Sequence, residues 1–296
     1  MKRLFLPIFV FLLLACNSAL LGAFELEVLA GVDGMTFNPD KTSAHTEPDM
    51  DTEFVSYPYL LANVSFRQYI TEILNFSVNL ERDNVLQNSI NAVLGAKTDF
   101  INVNFGIFMG LTDKFTRPDA GITGNLELIA FKIVYLSVYG SSTLGVQYGF
   151  TSNNYRETAG IKLGFSLGNA TLSVSSGMKS FSRQIEDDIF LDDTLHRFLL
   201  NLDFLIKDFN ISGYVNVGYQ SYSRVYKKDA LEFTDSLNAY LAGFGVHWHN
   251  KPLGVKLGFE MPFILSAEFP MTVTKEYLLF SRLYAGIVYS FDKGKL

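Results

Sequence analysis

The sequence predicts one all-β domain, a single transmembrane antiparallel up-and-down barrel of about 14 strands, with 12 as the near alternative. Three observations predict it. Apolar residues recur with a period of two from Phe24 to Phe291. The connections between those stretches are alternately tight and long, and the polar face of the strands is poor in charge.

The N-terminus reads Met1, Lys2, Arg3 and then an apolar stretch from Leu4 to Ala15, the charged and apolar regions of a secretory signal. Small residues close it at Gly22 and Ala23, so residues 1–23 are expected to be removed and residues 24–296 to form the barrel domain. A competing reading takes Leu13, Leu14, Ala15 and Cys16 as a lipidation site, with Cys16 carrying the lipid. Against it, Leu14 is bulky and the apolar segment continues past Cys16 through Leu21.

Cys16 is the sole cysteine, so cleavage after Ala23 leaves none and excludes a disulfide-stapled domain. Without Lys2 and Arg3, 22 basic residues face 30 acidic ones, a net charge of −8 that argues against nucleic acid as a partner. Past the signal no apolar run approaches the ~20 residues of a helical span. The longest candidate, Phe198 to Ile206, is broken by Asn201 and Asp203.

The strand period is explicit in several stretches. Leu74, Phe76, Val78 and Leu80 alternate with Asn75, Ser77, Asn79 and Glu81. Val103, Phe105 and Ile107 alternate with Asn102, Asn104 and Gly106, and Ile161, Leu163 and Phe165 with Lys162, Gly164 and Ser166. Val255, Leu257 and Phe259 alternate with Lys256, Gly258 and Glu260, and helical spacing accounts for none of these.

Tight turns are expected at 70–72, 98–99, 131–132, 168–169, 207–208 and 249–252, and longer polar loops at 38–53, 82–89, 112–119, 151–157, 182–194, 223–236 and 264–276. Six turns and seven loops connect fourteen strands. Short connections at one rim and long ones at the other are the plan of a barrel that crosses a bilayer, with both termini at the short-turn rim.

Alternation alone does not say which face is wet. The polar face is rich in Ser173, Ser175, Gly177, Asn210, Ser212, Asn216 and Gly218, whereas a surface in bulk water carries about a quarter to a third charged residues. The strands are about ten residues or longer, the length of a tilted crossing. Aromatics collect at strand ends, among them Phe66, Tyr69, Phe131, Phe209, Tyr219, Trp248 and Phe263, as at the two interfaces of a membrane. A closed barrel also satisfies every backbone polar group that lipid would leave without a partner.

The last strand, Tyr284-Ala285-Gly286-Ile287-Val288-Tyr289-Ser290-Phe291, resembles the C-terminal β-signal of bacterial outer-membrane barrels in its Tyr284, Gly286 and alternating Tyr289 and Phe291. The chain as a whole resembles small monomeric porin-like members of that family. The resemblance implies residence in the outer membrane, contact with its lipid, and recognition by the barrel-assembly machinery. One departure is that Asp292 to Leu296 follow the final aromatic, which in many members ends the chain.

No catalytic, cofactor or metal site is expected. The histidines are His45, His196, His247 and His249, and nothing near His45 sets a nucleophile beside a base. His247 and His249 share a strand face two residues apart, but no further ligand accompanies them, and the acids Asp187, Asp188, Asp192 and Asp193 lack the ordered repeat of a calcium loop.

Parity places Glu25, Glu27, Asp33, Glu81, Glu127, Asp203 and Glu260 inward with Arg67, Lys162, Lys179, Arg197, Lys256 and Arg282. Either these pair and fill the lumen, or they line a wet path. About fourteen strands lie between the filled interior of eight and the aqueous channel of sixteen. The expectation is therefore a passive channel for small polar solutes or ions. The alternatives are a surface-exposed binding, adhesin-like or structural barrel with a plugged lumen, and a transporter of hydrophobic compounds.

Overall fold

A computed structural model describes residues 23–36, 57–83, 85–111, 118–144, 154–186, 189–228, 231–250, 252–268 and 281–291. The signal segment 1–22, the stretch 37–56 with His45, and Asp187 and Asp188 lie outside the described residues, as does the side chain of Asp33.

The strands are β1 (Phe24–Thr36), β2 (Tyr57–Tyr69), β3 (Leu74–Asp83), β4 (Gln87–Lys97), β5 (Ile101–Leu111), β6 (Asp119–Ala130) and β7 (Val134–Thr143). They continue as β8 (Tyr155–Leu167), β9 (Ala170–Glu186), β10 (Ile189–Ile206), β11 (Ile211–Lys228), β12 (Leu231–Asn250), β13 (Leu253–Glu268) and β14 (Arg282–Phe291). Each pairs antiparallel with its sequence neighbours, and β1 pairs with β14 to close a barrel of 14 strands, so the larger of the two expected strand numbers is the observed one.

The short-turn rim is built by local chemistry. The Thr71 hydroxyl accepts the Leu74 N–H at 2.9 Å, and the Thr98 hydroxyl accepts that of Ile101 at 3.2 Å, closing tight turns without glycine. Phe131 and Lys132 both hold positive φ, 53° and 56°, the left-handed pair that matches the twist of a two-residue hairpin. Gly168 takes φ 60° at the next turn, a conformation cheap for glycine alone. The start of β1 and the end of β14 meet at this rim, where Phe24 pairs with Phe291 and the Tyr69 N–H donates to the Ala23 carbonyl at 2.9 Å.

Phe24 also fastens the seam from outside. Its ring stacks on Phe291 with centroids 5.4 Å apart, and Tyr289 and Phe66 flank it at 6.0 and 5.9 Å. On the opposite face Gly286 leaves the space that the Leu29 side chain fills, so the last strand sits tight against the first.

The outward face is apolar over a limited height. On β11 and β12 it runs from Ile211 and Trp248 through Val215, Val217, Val246 and Phe244 to Tyr219 and Tyr240. These two tyrosines are cross-strand partners in an edge-on contact at 6.5 Å. The stretch from Ile211 to Tyr219 is nine residues, within the ~9–11 of a tilted transmembrane strand. Beyond the tyrosines the same outward face becomes Ser221, Ser223, Asn238 and Ser236.

This change of face corrects the expected loops at 182–194 and 223–236. Those residues are mostly strand: β9 to β13 are 17, 18, 18, 20 and 16 residues long and rise above the apolar band as a tall wall. In the wall the alternation inverts. Leu191, Leu195, Tyr222, Leu237 and Phe181 face inward and are buried, while Thr194, His196 and Ser221 face outward. Polar residues outside and apolar ones inside are the pattern of a surface that faces water. The opposite side is low, with β3 and β4 only 10 and 11 residues long.

Candidate functional site

The lumen at membrane height is organised by charges that pair across strands. Lys162 lies 3.8 Å from Asp203, Arg197 3.2 Å from Glu260, and Lys256 2.5 Å from Glu27. Asn216 donates to the second oxygen of Glu260 at 3.3 Å. Of the thirteen charged residues placed inward by parity, Glu27, Lys162, Arg197, Asp203, Lys256 and Glu260 stand in these pairs. Glu81 lies 3.6 Å from Lys179. Glu127 and Arg282 line cavities described below.

Tyrosines laid over glycines form the second component. Tyr135 and Tyr139 on β7 face Gly164 and Gly160 on β8, and a Cβ on either glycine would collide with the ring. Tyr214, Gly245, Gly258 and Tyr284 form one row across β11 to β14, and the two hydroxyls meet at 2.9 Å above the glycine floor. The rings take lumen space that side chains on those glycines would occupy, which narrows the bore without adding charge.

Three of the cavities among the described residues lie along the lumen. One of ≈ 460 Å³ near the short-turn rim is lined by Asp203, Ser212, Tyr214, His247, Lys256 and Tyr284 among others. A second of ≈ 340 Å³, beside Glu127, Lys132, Tyr135 and Ser166, shares Asp203 with it. The third, also ≈ 340 Å³, spans the barrel from Glu81, Asp83, Val85 and Leu86 to Lys179, Arg197 and Arg282.

Above the third cavity the lumen is packed. Asp193 is 0% exposed and accepts from Arg224 at 2.5 and 2.9 Å and from Tyr222 at 2.6 Å, with Arg183 at 2.9 Å. Phe181 carries the Arg156 guanidinium 4.0 Å and the Arg183 guanidinium 5.0 Å from its ring centre. Arg156 pairs with Asp119, in a space left by Gly110, and both side chains are 2% exposed. Sequence reasoning missed this belt of Asp119, Arg156, Arg183, Asp193 and Arg224. Its residues fall at the ends of strands that look like loops, although 193 and 197 share one parity.

Asp192, on the outer face of the wall, pairs instead with Lys227 at 3.1 Å and accepts from Ser182. The acidic cluster expected near 182–194 is thus divided between two faces. His196 is exposed on the outside. His247 and His249 face inward with ring centres 3.6 Å apart, and His249 meets the Ser212 hydroxyl at 2.7 Å. Among the described residues no group of three His, Cys or carboxylate side chains is arranged to hold a metal.

Neither a family model nor a curated protein matches the chain. Among solved structures it is similar to an outer-membrane channel of Pseudomonas putida F1, with 11% identity over 92% of this chain and 96% of that one and a TM-score of 0.47. It is similar also to an anion-selective porin from Comamonas acidovorans, with 13% identity over 90% and 98% of the two chains and a TM-score of 0.36. OmpT of Vibrio cholerae, an outer membrane protein, lacking loop L8, gives 10% identity over 90% and 98% and a TM-score of 0.41. Identities this low speak to fold alone, and the fold itself is a closed even-numbered barrel with an apolar outer band between aromatics. The chain is a closed antiparallel β-barrel of 14 strands. Its lower lumen holds cavities and paired charges, and its upper lumen is packed.

Proposed function

We propose that this barrel is a passive, non-enzymatic channel for small polar solutes or ions, narrow and mostly closed at rest. The single observation that carries the reading is the lower lumen. Two cavities lie side by side at the short-turn rim and a third at mid-height, and hydroxyls, Tyr rings and paired charges contribute to the lining of each, alongside apolar side chains that include Leu and Val in the third. A barrel that only displayed its upper rim would have no need of a polar interior below it. Alternating charges with hydroxyls between them replace the hydration of a passing polar solute, while an apolar compound finds no continuous greasy path.

The tall wall favours a second reading. Its packed interior and polar exterior rise above the membrane, as in a surface-exposed binding or structural protein with a plugged lumen. Single-channel recording from refolded protein in a planar bilayer separates the two. The channel reading expects small, flickering conductance. A correctly folded barrel that never conducts, whether or not its closure is released, leaves the plugged, surface-exposed reading.

A further inference from the structure

We infer that the tip joining β3 to β4 is a releasable plug, latched across the lumen by Lys179. The inference rests on the channel reading for its purpose, but the latch itself is read from contacts. β3 and β9 are six strands apart in the barrel. The Lys179 ammonium on β9 nevertheless hydrogen-bonds the Asp83 carboxylate at the tip and lies 3.6 Å from Glu81 below it. From β8, the Arg156 Nε–H donates to the Leu86 carbonyl at 2.8 Å. The low side of the barrel thus reaches into the lumen and is caught by the tall wall.

The tip is shaped to make that catch. One Asp83 oxygen accepts the Val85 and Leu86 N–H groups at 2.9 and 2.6 Å and rounds the turn, leaving the other for Lys179. Gln87, where β4 begins, holds φ 59°, a conformation rare for a side-chain-bearing residue. Val85, 1% exposed, enters the roof of the cross-lumen cavity with Leu86, Leu195 and Leu199.

The latch differs from the belt above it in its access to water. Asp119 and Arg156 are both 2% exposed, so parting them strands two buried charges. Asp83 is itself 1% exposed while the tip is seated, but its partner Lys179 is 34% exposed and the neighbouring Glu81 33%, both bordering the cavity, so the latch opens toward water on the Lys179 side. No sheet hydrogen bonds join the described tip residues to the far wall, whose hold on the tip is through side chains, Lys179 and Arg156 among them. Release is therefore a local event that leaves the fourteen-strand ladder intact.

The test compares wild type with Lys179→Glu, which sets a third carboxylate against Asp83 and Glu81, and with Lys179→Arg, which keeps the cation. Two readouts are taken from refolded barrels: hydrogen exchange of the peptide covering residues 79–90, and open probability in a planar bilayer. Lys179→Glu is expected to raise both by roughly tenfold or more, and Lys179→Arg to stay near wild type. Should Lys179→Glu fail to assemble, Lys179→Gln is expected to give an intermediate rise in both. Unchanged exchange at the tip overturns the latch, as does faster exchange with unchanged opening in a wild type that conducts. Faster exchange in barrels that never conduct upholds the latch and refutes the channel.

Discussion

The hydroxyl of Tyr214 on β11 meets the hydroxyl of Tyr284 on β14 at 2.9 Å, bridging two intervening strands that carry only Gly245 and Gly258 in that row. This contact braces the lumen wall beside the closing seam. Tyr284→Phe is expected to lose one hydrogen bond, about 1 kcal/mol, and Gly258→Ala to cost about 1 to 3 kcal/mol, since its Cβ runs into the Tyr284 ring. Urea unfolding followed by loss of the fast-migrating folded form on gels measures both, and Gly258→Ala is expected to be the more damaging.

The buried belt gives a sharper contrast between neighbours. Asp193→Ala leaves Arg183 and Arg224 facing each other without their shared carboxylate, an expected loss of about 3 to 5 kcal/mol. Asp192→Ala removes only a partly exposed pair with Lys227, at a cost of less than about 1 kcal/mol. Equal unfolding midpoints for the two variants would mean that the upper lumen is open to water.

At the seam, Phe291→Ala removes the ring stacked on Phe24, and Gly286→Asp drives a side chain into Leu29. Both are expected to lower the amount of folded barrel recovered from outer membranes, while Asp188→Ala is expected to leave it unchanged. The mechanism is failed closure, which leaves strand edges unpaired in lipid. Quantifying heat-modifiable protein in membrane fractions checks this, and equal recovery of all three would remove any special role for the last strand in assembly.

Much of this was legible because the signals are local. Period two and the tight turns at Thr71, Thr98, Phe131 and Gly168 give the strand number and the short-turn rim from neighbouring residues alone. The tall wall was not legible. Above Tyr219 and Tyr240 water replaces lipid outside, so the polar residues that signal a loop elsewhere are here the outer face of a strand, and Leu191 and Leu195 turn inward. The latch was hidden for a different reason. Lys179 and Asp83 are 96 residues apart and meet only through the curvature of the closed barrel, which no local pattern encodes.

The lipid-facing band makes its own demand on substitutions. Leu163 and Leu257, 55% and 56% exposed on the outside, are expected to resist Arg by roughly 2 to 4 kcal/mol near the bilayer midplane. Arg at the inward Ser166, which faces Thr171 and one of the rim-side cavities, is expected to be tolerated. Refolding yields into vesicles rank the three, and a Ser166→Arg penalty as large as the others would contradict the assigned faces.

The most direct measurement uses the single tryptophan of the chain, Trp248, which lies on the outward face of β12 near the short-turn rim. Barrels refolded into vesicles of lipids brominated along the acyl chain are expected to lose much of their tryptophan fluorescence, and aqueous iodide to have little effect. Fluorescence indifferent to brominated lipid but quenched by iodide would place that face in water and contradict the transmembrane barrel on which the rest depends.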